Sequence, residues 1–265
     1  MRNLTAIAIT ILLLWLSPLA AQQDADLAKK LANPIAALIS FPIQANYSAN
    51  IGPTEDGSLW RINIQPVIPF GLSENVNVIS RTIIPIVSQN DIPVNGAGES
   101  GIGDVVQSLF FSPANVPAGG IIWGIGPVLL LPTATNNALG GEKFGIGPTA
   151  LALKQSGKWT FGGLVNHIVS VAGEDTRADV NATFIQPFMS YITKTRTTFG
   201  LAAEMTYDWE NEAWSVPIIL TVSQMLKTGS QIFQIGVGAY YWADSPDGGP
   251  EDLGARVQLV FLFPK

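Results

Sequence analysis

The only histidine of the chain lies in the run Asn166-His167-Ile168-Val169-Ser170, whose residue types could serve nucleophilic catalysis. A general base must reach its nucleophile within hydrogen-bonding distance. In a strand, however, His167 shares its face with Val165 and Val169, whereas Ser170 projects from the opposite face. The spacing therefore places no hydroxyl beside the imidazole on its own strand. We interpret His167 as an interfacial residue or one paired across strands, with lipid-face catalysis as the alternative.

Metal and cofactor chemistry have little support in the sequence. With one histidine and no cysteine, a metal site would need oxygen ligands alone. The most acidic run, residues 244–252, lacks the spacing of a calcium-binding loop and is typical of a solvated turn. We therefore expect no catalytic residue, no metal and no cofactor. The net charge of −6 also argues against nucleic acid as a partner, since phosphates need a basic surface.

Five charged side chains form the candidate site, because each falls on the polar face of an alternating segment. They are Arg61, Arg81, Arg256, Glu204 and Asp208. Ionisable groups are costly in lipid, so these side chains should face water. An arginine wall opposite carboxylates would set a transverse field across a water-filled lumen, as in ion-selective pores. The alternative is that they form structural salt bridges with neighbouring strands.

The segments that carry these charges alternate between polar and apolar residues. From Thr197 to Glu210 the two classes separate almost completely onto opposite faces, a period of two that predicts a strand. Similar alternation recurs at 60–69, 214–226, 231–242 and 254–263. Segments of about ten residues separated by turn residues are typical of membrane barrels. No apolar run of about 20 residues follows the N-terminus, which excludes a helical membrane protein.

Turn residues divide the chain into twelve predicted strands. Their extents are 43–51, 59–69, 75–88, 102–111, 121–132, 144–155, 159–170, 180–191, 196–209, 213–227, 231–242 and 254–263. An even number fits a barrel whose termini both lie in the periplasm. Six prolines fall inside these strands, where each removes a ladder hydrogen bond, and we interpret them as bulge sites: Pro66, Pro85, Pro127, Pro148, Pro187 and Pro217.

Loop charge supports the same topology. With a periplasmic N-terminus, the odd-numbered connections face outside, and they contain fourteen of the 20 acidic residues. These are Glu55, Asp56, Asp91, Glu99, Glu142, Glu174, Asp175, Asp179, Glu210, Glu212, Asp244, Asp247, Glu251 and Asp252. The even-numbered connections are mostly shorter and have lysines near them. Long external loops and short periplasmic turns are typical of outer-membrane barrels.

The N-terminus predicts secretion. Arg2 precedes an apolar core and a small-residue cleavage zone, so residues 1–21 are interpreted as a signal peptide. Residues 22–42 show helical spacing of apolar residues, which Pro34 should interrupt near Asn33. This segment is either a periplasmic or interfacial helix or a plug that enters the lumen. Residues 43–265 form the predicted barrel.

Several stretches resemble the MetA-pathway family, bacterial envelope proteins named for the meta-pathway of phenol degradation and often labelled transporters. The stretches are Gln65-Pro-Val-Ile-Pro69, Ser80-Arg-Thr-Ile-Ile-Pro85, Gly101-Ile-Gly-Asp104 through Phe111-Ser-Pro113, Trp123-Gly-Ile-Gly-Pro127 through Leu131-Pro-Thr-Ala-Thr135, Val165-Asn-His167, Tyr207-Asp-Trp209, Trp214-Ser-Val-Pro217 and Trp242-Ala-Asp-Ser-Pro-Asp-Gly-Gly-Pro250. They span nearly the whole mature chain. The resemblance implies an association with aromatic catabolism but names no substrate.

These patterns together predict an all-β protein, a transmembrane antiparallel barrel of about twelve strands in the bacterial outer membrane, with a short N-terminal helix. Its expected partners are membrane lipids and a small-molecule solute. The expected function is passive uptake of small solutes, with hydrophobic or aromatic compounds as candidates. The alternatives are a lipid-modifying outer-membrane enzyme and a structural barrel with a closed lumen. Trp209 and Trp214 should mark the outer membrane boundary, and Trp159, Phe261 and Phe263 the periplasmic one.

Overall fold

A computed structural model describes residues 27, 29–92, 96–117 and 119–263, so the expected signal peptide lies outside the described residues. The described residues form sixteen strand segments. These are β1 (Ile39–Ile51), β2 (Gly57–Ile64), β3 (Val67–Gly71), β4 (Val76–Asn90), β5 (Gly98–Ile102), β6 (Val105–Pro113), β7 (Ile121–Leu131), β8 (Lys143–Ser156), β9 (Trp159–Gly173), β10 (Asn181–Ile192), β11 (Thr197–Ala203), β12 (Met205–Asp208), β13 (Ala213–Ser215), β14 (Pro217–Thr228), β15 (Gln231–Trp242) and β16 (Leu253–Phe263).

The sixteen segments make twelve barrel strands. Four strands are interrupted by one or two residues, so that β2 continues as β3, β5 as β6, β11 as β12 and β13 as β14. Every strand pairs antiparallel with its sequence neighbours, and β1 pairs with β16 to close the ring. The prediction of a closed twelve-stranded antiparallel barrel is confirmed. Closure leaves the sheet without a free edge, so backbone groups find partners within the wall.

The two faces of the wall follow the alternation of the sequence. In β14, Leu220 is 63% exposed on the outer surface, whereas the adjacent Ile219 is 2% exposed inside the barrel. The same contrast recurs around the ring, where outward residues such as Val237 and Ile121 are also largely exposed. The outside of the barrel is therefore an apolar belt, which is the surface that lipid covers in membrane barrels.

The two ends of the barrel differ in the length of their connections. At one end the strands are joined by short turns such as 157–158, 193–196 and 229–230. Ile39 pairs with Phe263 at this same end, which places the start of β1 beside the end of β16. The long connections 132–142, 174–180 and 243–252 lie at the other end. We call these the short-turn end and the long-loop end.

Aromatic rings cluster at both ends of the outer surface. At the short-turn end, Trp159 lies 5.6 Å from Phe161 and 4.8 Å from Tyr191, measured between ring centroids. At the long-loop end, Tyr207 contacts both Trp209 and Trp214, at 4.7 and 4.9 Å. The tryptophans thus lie at opposite ends of the strands, as the sequence predicted. Phe261 and Phe263 lie in the last residues of β16, at the short-turn end.

The strand prolines do not all act as predicted. Pro66 and Pro217 lie at strand interruptions, where a missing N–H is tolerated. Pro127 and Pro148 pair with each other without a change of register, so for them the bulge interpretation was wrong. Register shifts occur between Ser48 and Ile51, beside Phe144, and opposite Pro85, where the pairing with β4 shifts by one residue from β5 to β6. Proline lacks the backbone N–H but keeps its carbonyl. Two prolines can therefore face each other at a non-hydrogen-bonded pair of an antiparallel sheet, where neither residue needs to donate an N–H to the other.

The N-terminal segment is only briefly helical. Residues 27 and 29–31 are helical, and a turn follows in which the side chain of Asn33 accepts a hydrogen bond from the backbone N–H of Ile35, 3.0 Å away. β1 begins at Ile39, four residues before the boundary expected at residue 43, because residues 39–42 pair with the end of β16. Among the described residues, no helix is long and apolar enough to span a membrane.

Residues 29–38 lie inside the short-turn half of the barrel, and we call them the N-terminal plug. Ile35 is 3% exposed and packs in a cluster that includes Phe110 and Leu151 from the inner wall. Leu38 is 5% exposed and packs with Val260 and Leu262. The amide of Gln155 also donates to the backbone carbonyl of Lys29, 2.7 Å away. This arrangement corresponds to the plug alternative of the sequence analysis.

Candidate functional site in the barrel lumen

A polar strip runs along the inner face of β1 and β2. In these strands every second residue points inward, and the middle of the strip consists of amides and one cation, continued by Gln65 just after β2: Gln44, Asn46, Arg61, Asn63 and Gln65. The neighbouring outward residues, among them Trp60, are apolar. Polar side chains are tolerated here because they hydrogen-bond to one another or line the lumen cavities and do not face lipid. This strip positions the charged residues of the candidate site.

Glu204 and Arg256 form an ion pair across the lumen. Two guanidinium nitrogens of Arg256 donate to the two carboxylate oxygens of Glu204, each at 3.0 Å, and its Nε donates to Asn46 Oδ1 at 2.6 Å. The interrupted strand β13/β14 and strand β15 separate the two residues around the ring. The bridge therefore spans a chord of the barrel, whereas a structural salt bridge of the kind considered above would join neighbouring strands.

An interruption of the wall positions Glu204. It is the single residue between β11 and β12, opposite the interruption between β13 and β14, where Pro217 supplies no N–H. The backbone N–H of Glu204 still reaches the carbonyl of Pro217, 3.1 Å away. Gln186 from β10 also donates to Glu204 Oε1, at 3.3 Å. The carboxylate is therefore held in a defined place by β10 and β16.

Two further arginines lie on the other side of the carboxylate. Arg81 donates to Gln65 Oε1 at 2.8 Å, and Gln65 donates in turn to Gln44 Oε1 at 2.6 Å. Arg61 donates no side-chain hydrogen bond to any of the described residues. Both guanidinium groups are electrostatically attracted by Glu204. Three arginines thus converge on one carboxylate that is already engaged by Arg256.

Asp208 does not join this cluster. Its Oδ1 accepts hydrogen bonds from the backbone N–H groups of Glu210 and Asn211, at 2.9 and 3.3 Å. Its Oδ2 accepts from the side-chain amide of Asn211 at 2.7 Å. Asp208 therefore caps the turn after β12 at the long-loop end. Of the five candidate residues, the structure brings together Arg61, Arg81, Glu204 and Arg256.

The lumen contains adjoining cavities, which share lining residues, on the long-loop side of the plug. One of about 520 Å³ is lined by Arg61, Arg81 and Glu204, and a second of about 390 Å³ shares Arg61 and Glu204 and also contacts Arg256. Two smaller cavities, of about 240 and 190 Å³, lie against the plug. Both share the wall residue Gln44 with the cavity of about 520 Å³. The larger cavities thus lie towards the long-loop end and the smaller ones beside the plug.

Away from the polar strip, the lining of the large cavity is mainly apolar, with Ser108, Asn166 and Gln186 as polar exceptions, which the sequence analysis did not predict. Its side chains come from β4, β6, β7, β9 and β10, and they include Ile83, Val106, Leu130, Ile168 and Phe184. The available signal was that these segments do not alternate. Runs such as residues 83–87 and 128–131 are apolar on both faces, as expected for strands that contact lipid outside and an apolar lumen inside.

The long loops fold over the mouth of the large cavity. Asp104 holds the connection 132–142 through its two carboxylate oxygens, which accept from the N–H groups of Ala134 and Gly141 at 3.1 and 2.7 Å. Arg177 from the next long loop donates to the carbonyl oxygens of Asn137 and Gly140. Its Nε also lies 3.3 Å from Glu142. These contacts place Leu139 of the loop against the cavity.

His167 lies on the outer surface and is paired across strands, as one reading of the sequence predicted. Its Nδ1 is 2.9 Å from Thr183 Oγ1, and the two residues are register partners of β9 and β10. Thr183 Oγ1 also accepts a hydrogen bond from Trp209 Nε1, at 2.8 Å. The hydroxyl beside the imidazole therefore belongs to a threonine of the neighbouring strand, and Ser170 of the same strand does not contribute it.

Comparison with known proteins supports the fold. The chain is similar to the COG4313 outer membrane channel from Pseudomonas putida F1, with a TM-score of 0.64 and 16% sequence identity over 86% of this chain and 96% of that one. A second solved chain, from work on in-meso crystallization of membrane proteins, aligns with a TM-score of 0.44 and 11% identity, too low to carry an argument. No family model matches the chain, and no curated protein sequence matches it.

Proposed function

We propose that the protein is an outer-membrane channel through which small solutes pass passively. The observation that carries this proposal is the set of adjoining lumen cavities that share the charged cluster in their lining. Charged and amide side chains are costly inside a barrel unless water or a solute reaches them. The apolar outer belt and the likeness to a barrel described as an outer membrane channel support the membrane location.

The N-terminal plug makes the path narrow. Cavities of about 240 and 190 Å³ remain beside it, between Gln44, Phe188 and Gln234 of the wall and Leu31 of the plug. A solute that reaches the short-turn end must pass this region or displace part of the plug. The channel should therefore pass small solutes and exclude large ones. The resemblance to the MetA-pathway family makes hydrophobic or aromatic compounds candidates.

Cysteine modification in the lumen tests the proposal, because the chain contains no native cysteine. Asn63 lines both large cavities, and its neighbour Ile62 has the opposite orientation in β2. In planar bilayers, a cationic methanethiosulfonate reagent should reduce the conductance of the Asn63→Cys protein and leave the Ile62→Cys protein unchanged. Equal responses of the two folded variants, or no conductance of the unmodified protein, would overturn the proposal.

A structural barrel with a closed lumen is the second candidate, and the apolar packing around the plug favours it. Leu38 and Ile35 are almost fully buried against the inner wall. The same bilayer experiment separates the two functions. A closed barrel would show no current before or after modification, although the protein is folded and Asn63→Cys is accessible from the long-loop side.

A further inference from the structure

The charged cluster has unequal numbers of positive and negative groups. Glu204 receives both guanidinium hydrogen bonds of Arg256 and one more from Gln186, so its oxygens are largely occupied. Arg81 uses one nitrogen on Gln65, and Arg61 donates to none of the described residues. The other carboxylate that lines the cavity, Asp104, accepts two backbone hydrogen bonds from the loop 132–142. Two guanidinium groups therefore face the large cavity without a carboxylate partner of their own.

The same cavity also has a mainly apolar surface, which we call the apolar wall. Ile83, Val106, Leu130, Ile168 and Phe184 contribute to it. Its volume of about 520 Å³ falls within the range of small-molecule sites, which are mainly apolar with a few placed polar groups. Guanidinium groups bind carboxylates through paired hydrogen bonds, and apolar surface binds hydrocarbon.

We propose that this cavity is a binding site for a small amphipathic monocarboxylate, with the carboxylate between Arg61 and Arg81 and the hydrocarbon body against the apolar wall. The proposal rests on the proposed function, because it names the solute class that the lumen selects. An organic cation would meet uncompensated positive charge.

The site can be tested with ligands that separate its two halves. Benzoate has the carboxylate and the apolar ring, benzamide has the ring without the charge, and acetate has the charge without the ring. Isothermal titration of the folded, detergent-solubilised protein at neutral pH and low salt should show saturable heat with benzoate. Benzamide and acetate should bind at least about tenfold more weakly, since each loses one set of contacts.

Charge-removing variants locate the site. Arg61→Gln and Arg81→Gln should each weaken benzoate binding about tenfold or more, because each removes one charge-assisted contact. The control is Lys194→Gln, which removes the same charge from an exposed residue in the short turn 193–196. It should bind benzoate like the unmodified protein. Retention of full affinity in both folded arginine variants would overturn the proposed location.

Conductance measured in parallel distinguishes this proposal from the proposed function. Benzoate binding with blockage of the current supports both. A conducting protein that binds benzoate and benzamide equally, or neither, would overturn the carboxylate site and leave the channel intact. A protein that binds benzoate in an arginine-dependent way but passes no current would retain the site and overturn the channel.

Discussion

The ion pair of Arg256 with Glu204 and the free guanidinium of Arg61 belong to one cluster but should behave differently. The side chain of Arg256 is 8% exposed and that of Glu204 26%, and each makes two of its three side-chain hydrogen bonds with the other. Arg61 makes no such bond and is exposed to the lumen. Loss of one partner of a buried pair is costly because the remaining charge stays unpaired.

We therefore expect Arg256→Gln to lower the free energy of unfolding by about 3 kcal/mol. Arg61→Gln should leave it within about 0.5 kcal/mol, as for substitutions that break no contact. Urea titration of the detergent-solubilised protein measures both values. The double variant Arg256→Gln with Glu204→Gln should recover much of the lost stability. Equal destabilisation by Arg61→Gln and Arg256→Gln would show that the cross-lumen bridge is not a distinct structural contact.

Among the elements, the N-terminal plug determines how far the lumen is open. Ile35 contacts the inner wall where Gly124 leaves room: a side-chain carbon on Gly124 would come within 3.1 Å of Ile35 Cδ1. A carboxylate at position 35 would lose its hydration in this apolar cluster. The plug should then leave its place while the barrel stays folded, since the strands are paired independently of it.

We expect Ile35→Asp to increase single-channel conductance severalfold. Ala37→Asp adds the same charge to the same segment at an exposed residue and should change conductance little. Planar-bilayer recordings of the two folded variants give the comparison. If Ile35→Asp conducts like the unmodified protein, then the plug does not limit the current.

The long loop that contains Arg177 contacts the neighbouring long connection, residues 132–142. Arg177 joins it to the connection 132–142 through two carbonyl oxygens and Glu142. Arg177→Ala should therefore increase the mobility of the connection 132–142. A spin label at Asn137→Cys would report this as a sharper spectrum. The control Lys194→Ala, in a turn at the other end of the barrel, should leave the spectrum unchanged. An unchanged spectrum in Arg177→Ala would show that the contacts of Arg177 do not hold the connection in place.

The same loop should respond to acid. Hydrogen bonds from Lys143 and then Ser170 hold the pKa of Asp179 below its ordinary value. The stabilisation that the Asp179 carboxylate gives the loop is therefore complete above the ordinary carboxyl pKa of about 4. It is lost as the pH falls through the lowered pKa of Asp179. A spin label at Thr176→Cys should become more mobile only in acid. When Asp179→Asn is added, the label should be mobile at neutral pH also. A spectrum that does not change with pH in the labelled protein with native Asp179 would contradict the role of this carboxylate.

At the scale of the whole molecule, the sequence predicted the barrel because the side chains of a barrel strand alternate between two different surroundings. This alternation appears in the sequence as a hydrophobic period of two residues. Alternation at 197–210 and 231–242 repeats in enough strands to define two faces and the strand number. It also predicted Arg61, Arg81, Glu204 and Arg256 as inward residues. It did not predict that Glu204 reaches across two strands to Arg256, because the strand interruptions at residues 204 and 216 depend on tertiary pairing.

Three other features were beyond the pattern of the sequence. The role of Asp208 as a turn cap depends on the local path of residues 208–211. The choice between a periplasmic helix and a plug depends on packing of residues 29–38 against the finished barrel. The apolar lumen wall gave a signal, the loss of alternation at 83–87, but a run apolar on both faces does not reveal which face points inward.

The central claim is that solutes and ions pass through the lumen and meet the arginine cluster there. The most direct test is the reversal potential of the protein in a planar bilayer with a potassium chloride gradient. The positive charge at Arg61 and Arg81 predicts a preference for chloride, and Arg61→Ser with Arg81→Ser should shift the potential towards potassium while Lys194→Ser should not. A folded double variant with the unmodified reversal potential would contradict this account.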